Sequence, residues 1–135
     1  MQVLIHAEAT EHVSDIRFHK ELIEWTRKEL PAVVTFDFDN FSETSITNYG
    51  LDLARQADRV LVVIDIKESK SLGGLIRFVD QLSRLENKDL RLVLNGKSAE
   101  LNKMSKAFGS RFYKDLSLEE QQKMARDFLR RRQAA

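Results

Sequence analysis

The chain has 135 residues, enough for one domain around one core, and its 22 Lys and Arg against 21 Asp and Glu leave no field of one sign to draw it to nucleic acid or an anionic membrane. It has no cysteine, which excludes disulfides and thiolate metal sites. No apolar run approaches the roughly 18 residues a membrane span needs, and Met1 to Ala9 carries no basic stretch ahead of an apolar core, so the expected location is cytoplasmic.

Val3 to Ile5 open a short apolar strand, which Ala7 to Ala9 carry to a polar turn at Thr10, Glu11 and His12. Ser14 or Asp15 can cap the next helix, whose apolar positions Ile16, Phe18, Leu22, Trp25 and Leu30 follow helical spacing up to the stop at Pro31. Ala32 to Phe38 reads as a second strand, with Asp37 and Asp39 clustered at its end. Ser42 is the expected N-cap of a helix through Ala57, in which Ile46, Tyr49, Leu53, Ala54 and Ala57 form one stripe and Gly50 costs about 1 kcal/mol relative to Ala.

The third strand, Arg59 to Lys67, is the one around which the rest is organised. Val60 to Ile64 and Ile66 run apolar without alternation, interrupted only by Asp65, and such a run is covered on both faces, as in the middle of a parallel sheet. A helix follows over Leu72 to Leu85, with Leu72, Leu75, Ile76, Val79 and Leu82 on one face. Leu90 to Leu94 gives a fourth strand ending in Asn95-Gly96, then Ser98 caps a short helix carrying Leu101, Met104 and Phe108 and closed by Gly109. Arg111 to Lys114 is the last strand. Ser117 and Glu120 stand at capping-box spacing ahead of a helix that turns Met124, Ala125, Phe128 and Leu129 inward.

Strand and helix thus alternate five times through a single domain, residues 1–135. Right-handed crossovers then require a five-stranded parallel sheet with helices on both faces, a three-layer α/β sandwich whose expected strand order is the flavodoxin-like 2-1-3-4-5. In such sheets ligands gather at the carboxyl ends of the strands, which directs attention to Asp65 to Ser71.

The chemical motifs are sparse. Ser69, Ser71, Gly73 and Gly74 form the one loop at which a ligand phosphate could meet backbone N–H groups, but there is no Walker lysine and no GxGxxG, and small residues there equally serve close packing of helix on sheet. His6, His12 and His19 lack metal-ligand spacing, so no metal and no cofactor is expected. No Gly-x-Ser-x-Gly elbow follows a strand. The basic group Lys123, Arg126, Arg130, Arg131 and Arg132 suits a solvated helix end complementing the macrodipole, and nucleic acid is not implied.

Two family resemblances attach to particular residues. Asp65, Asn95 and Lys114 at the ends of three successive strands resemble the response-regulator receivers, although the place of the receivers' acidic pair is taken here by His6-Ala7-Glu8, a poor cage for a hard cation. The opening Val3-Leu4-Ile5-His6, the strand end Asp37-Phe38-Asp39, then Ser45-Ile46, Ala54 and Arg59 leading into the third strand resemble a Toll-type (TIR) domain over the first 80 residues.

TIR domains are protein-interaction modules, and some cleave NAD⁺ with a glutamate in the helix after the third strand, in a segment Ser-x-Trp-Cys-x-x-Glu. The matching run here is Ser71-Leu72-Gly73-Gly74-Leu75-Ile76-Arg77, so Ser71 is kept while Arg77 stands in place of the glutamate. A cation cannot stabilise an oxocarbenium ion, and the resemblance therefore implies a noncatalytic interaction or signalling module with a protein partner, a second copy of the chain included. Its partner-binding loop would follow the second strand, with Asp37, Asp39, Phe41 and Glu43 as contact residues. For Phe41 the competing structural role is a staple on Ile46. The alternative is a small enzyme acting on a nucleotide or N-glycosidic bond, similar to the nucleoside deoxyribosyltransferases, with Asp65, Glu68 and Asp80 as its carboxylates.

Overall fold

The computed structural model describes residues 1–17, 20–67, 71–86 and 88–130. Five parallel strands, β1 (Gln2–Ala9), β2 (Val34–Asp39), β3 (Arg59–Ile66), β4 (Asp89–Asn95) and β5 (Phe112–Lys114), form one sheet in the order β2-β1-β3-β4-β5. This is the expected winding, with β3 interior between β1 and β4. The helices are α1 (Glu21–Glu29), α2 (Thr44–Gln56), α3 (Leu75–Ser83), α4 (Ala99–Ser105) and α5 (Leu118–Leu129). Among the described residues no helix is long and apolar enough to cross a membrane.

Alternation along the strands divides the core in two. Val3, Ile5 and Ala7, Val60, Val62 and Ile64, and Leu90, Leu92 and Leu94 point to the face covered by α2, α3 and α4. Leu4, Leu61, Val63 and Val93 point the other way, against Leu22 and Ile23 of α1 and Ala125, Phe128 and Leu129 of α5. Burial on both faces is what leaves β3 without a polar position between Arg59 and Asp65.

Several boundaries differ from expectation, each for a local reason. The first helix starts at Glu21 after Lys20, not at Ser14 or Asp15, and Ile16 precedes it. Val13–Asp15 form only a 3-10 turn, and the chain then brings Arg17 and Lys20 against the carboxylate of Glu8. Phe18 and His19 lie outside the described residues. The second strand starts at Val34 rather than Ala32.

Ser42 does not cap α2. Its hydroxyl accepts from the Asp39 backbone N–H at 3.0 Å, closing the turn after β2, and Glu43 occupies the N-cap position. The buried face of α2 is Thr47, Gly50, Leu51 and Ala54, which turns Ile46 and Tyr49 outward from the expected stripe. Gly50 explains the shift: a Cβ there would lie 2.9 Å from the Phe36 ring, so the helix settles on the sheet through its glycine. The third helix begins at Leu75, three residues later than expected, because Gly73 holds a left-handed turn at φ 54°. Ser98 and the Ser117–Glu120 capping box behave as expected.

Candidate functional site

Three strands change character near their carboxyl ends on the α1/α5 face. Leu4 is followed at period two by His6 and Glu8, Val63 by Asp65, and Val93 by Asn95, so apolar stripes turn polar just below the loops. In register, Glu8 neighbours Asp39 on one side and Asp65 on the other, and Asp65 neighbours Asn95. Strands lie about 4.8 Å apart, so adjacent carboxylates repel unless cations enter between them.

Two cations do so. Arg17 donates through Nε to Glu8 Oε2 at 3.4 Å and through Nη2 to Asp65 Oδ2 at 3.2 Å. Lys20 Nζ lies 4.0 Å from Glu8 Oε2 and 3.3 Å from Asp37 Oδ2. Glu8 is wholly buried, and His6 and Lys20 are nearly so. His6 Nε2 lies 2.8 Å from Asp65 Oδ2, Asn95 Nδ2 donates to Asp65 Oδ1 at 2.9 Å, and Asn95 Oδ1 accepts from the Leu116 N–H at 2.8 Å. The cluster sits at the switch point between β1 and β3, where this winding reverses direction.

Burial alone would push the Asp65 carboxyl up. The hydrogen bond and charge of His6, the Asn95 amide and Arg17 outweigh it, leaving the group below its ordinary value of 3.8. A carboxylate with a depressed folded pKa contributes stability above its unfolded pKa and loses it as pH falls through the folded value. Asp65→Asn is therefore expected to lower stability at neutral pH and to flatten the acid limb of the stability curve below about pH 4, read by denaturant unfolding between neutral pH and pH 3. An acid limb identical to wild type would show that the cluster does not hold Asp65 ionised.

The space at this point is limited. A cavity of about 120 Å³ lies between His6, Arg17, Asp65, Leu22 and Gln121, below the roughly 300–1,000 Å³ of small-molecule pockets. On the far side of Asp65 a depression of about 560 Å³ runs past Asn95 and Gly96 to Ser117 and Glu120. Among the described residues no group of three or more His, Asp or Glu side chains is arranged to hold a metal ion.

The sequence-derived candidates scatter over the molecule. Asp65 is in the cluster, whereas Asp80 is on α3, across the sheet, where it accepts from Arg84 at 3.2 Å. Glu68 and Ser69 lie outside the described residues. Arg77 is exposed and donates to Asn48 Oδ1 of α2. Ser71, Gly73 and Gly74 form a packing seat: the Ser71 carbonyl accepts from Asn40 Nδ2 at 2.8 Å, a Cβ on Gly73 would fall 2.0 Å from the Asn40 carbonyl oxygen, and one on Gly74 3.0 Å from Thr47 Oγ1. The same Asn40 side chain holds both the N–H and the C=O of Thr10.

Of the expected partner loop, Asp37 and Asp39 lie within β2 itself: Asp37 belongs to the inner network through Lys20, and Asp39 Oδ1 accepts from the Phe41 N–H at 2.7 Å. Phe41 and Glu43 are exposed. Arg17 and Lys20 were not identified from the sequence. Glu8 was the available signal, because an acid at an inward strand position demands a cation within reach.

No protein-family model matches the chain, and no curated protein matches it.

Proposed function

We propose that the chain is a noncatalytic, TIR-like protein-interaction module that acts through the edge formed by β2 and α2. What carries this reading is the gathering of exposed apolar side chains on β2, α2 and the loop between them. Val34, Phe41, Ile46 and Tyr49 are 37%, 44%, 41% and 57% exposed and account for four of the six large exposed apolar side chains among the described residues. Tyr49 lies on the half-buried Phe36, ring centres 5.2 Å apart, and Ile46 stands one turn earlier on the same helix face. Aromatic side chains gathered beside a sheet edge are costly to leave in water and are the usual anchors of protein contacts.

The switch point supports the noncatalytic half of the proposal. Both oxygens of Asp65 and Oε2 of Glu8 are engaged by His6, Asn95, Arg17 and Lys20, while Glu8 Oε1 is buried without a hydrogen-bond partner among the described residues; Asp65 therefore does not stand ready as a nucleophile. A second reading, a small enzyme on a nucleotide or N-glycosidic bond, is favoured by one feature alone, the 560 Å³ depression beside Asp65.

The test is capture by the immobilised chain from a lysate that also contains an untagged copy of it. Phe41→Ser with Tyr49→Ser is expected to remove most bound protein while moving the melting temperature by only a few degrees, since both side chains are exposed. An unchanged bound set would place the interaction surface elsewhere.

A further inference from the structure

Resting on that reading, we infer that the occupant of the β2 edge is a second copy of this chain, joined by antiparallel β2–β2 pairing about a two-fold axis that passes through Phe36.

The two edges of the sheet differ in a way that points to β2. At the far edge β5 is three residues long and ends in Lys114, both ordinary means of blunting an edge. β2 has six residues, Val34-Thr35-Phe36-Asp37-Phe38-Asp39, with no Pro and no Lys, and among the described residues β1 is its only neighbouring strand. Of its outward backbone groups, those of Asp39 are taken by Ser42, and those of Thr35 and Asp37 are a template for one more strand.

Symmetry and charge then select the register. Side chains of directly opposed residues lie on the same face, so a two-fold axis perpendicular to the sheet must pass through a residue and not between two. An axis through Asp37 would set that carboxylate against its own copy. An axis through Thr35 would bring together two copies of Arg27, whose Nε donates to Thr35 Oγ1 at 3.1 Å.

With the axis through Phe36, Thr35 and Arg27 of one copy face the partner's Asp37 on the α1 side, twice by symmetry. The half-exposed Asp37 carboxylate, which Lys20 already holds at 3.3 Å, gains a guanidinium from across the interface. On the other side of the sheet Phe36 meets the partner's Phe36, and the outward Tyr49 and Ile46 of each α2 flank the seam. Apolar and charged positions are thus self-complementary, as a closed two-fold interface requires. The pairing consumes the only long free edge among the described residues, so association stops at the dimer, with the two five-stranded sheets continuous.

The experiment is sedimentation of the intact chain over a concentration series, combined with backbone hydrogen exchange and an Arg27→Glu variant. Arg27 is exposed, so the variant leaves the core intact. The expected result is a concentration-dependent dimer, exchange of the outward Thr35 and Asp37 amides slowed at least about tenfold where the dimer dominates, and a dissociation constant raised at least about tenfold by Arg27→Glu. A monomer at every concentration up to about 0.1 mM, well into weak association, overturns the inference. So does a dimer in which β2 exchange is unprotected or which ignores Arg27→Glu. Failure here is distinguishable from failure of the module reading: a monomer whose captured partners still depend on Phe41 and Tyr49 removes only the self-association, whereas capture indifferent to those residues removes the β2–α2 surface whatever the mass.

Discussion

Lys20→Met is expected to destabilise the fold by about 3–5 kcal/mol, because it takes a cation from a carboxylate shielded from bulk solvent. Glu8 is fully buried, and without Lys20 its one remaining ionic partner among the described residues is Arg17, at 3.4 Å and already shared with Asp65. Coulomb attraction inside a protein offsets the desolvation of a buried ion only when its partners stay in place. The companion variant Glu8→Leu with Lys20→Met removes both charges and is expected to recover most of the loss, since a well-packed apolar pair is often as stable as the ion pair it replaces. Denaturant unfolding of the wild type, both single variants and the double variant closes the cycle. A coupling below about 0.5 kcal/mol would mean the two side chains act independently.

Gly73→Ala should be the other large effect, on the order of 3 kcal/mol or loss of soluble protein altogether. Two costs coincide there. The backbone holds φ 54°, where a Cβ is disfavoured, and the added Cβ would fall 2.0 Å from the Asn40 carbonyl oxygen, a backbone atom with little freedom to retreat. Gly109 supplies the control. Its φ is also positive, 57°, with ψ −128°, but nothing lies within 4 Å of the position a Cβ would take, so Gly109→Ala is expected to cost about 1–3 kcal/mol from backbone strain alone. Equal losses in the two variants would show that backbone conformation alone sets the cost and that the seat on Asn40 contributes nothing.

The architecture was legible because burial on two faces leaves an unbroken apolar run, and Val60 to Ile64 permits few other readings. Ser98, Ser117 and Glu120 announced their helices because caps are written within three residues of each other. The face of α2 was not legible. Its inward positions include a threonine and a glycine, and hydropathy does not reveal that Phe36 fills the space where a larger side chain would go. The cluster at the strand ends was legible in part. The receiver resemblance sets Asp65, Asn95 and His6-Ala7-Glu8 at neighbouring strand ends, but its cations go unmarked, because helical spacing at Ile16 and Leu22 draws Arg17 and Lys20 into a helix that begins after both. Sequence periodicity reports which face a residue is on; it is silent on which charges meet there.

The side chain of Asn40 gives the carboxyl edge of the sheet a collective character. One amide accepts from the Thr10 N–H and donates to the carbonyls of Thr10 and Ser71, so the segments leaving β1 and β3 are fastened to a residue in the segment leaving β2. Three connections that would otherwise fluctuate separately share a single latch, and opening any one of them breaks bonds that hold the others. The amides of Thr10, Asn40 and Ser71 are therefore expected to exchange with solvent as one unit rather than singly.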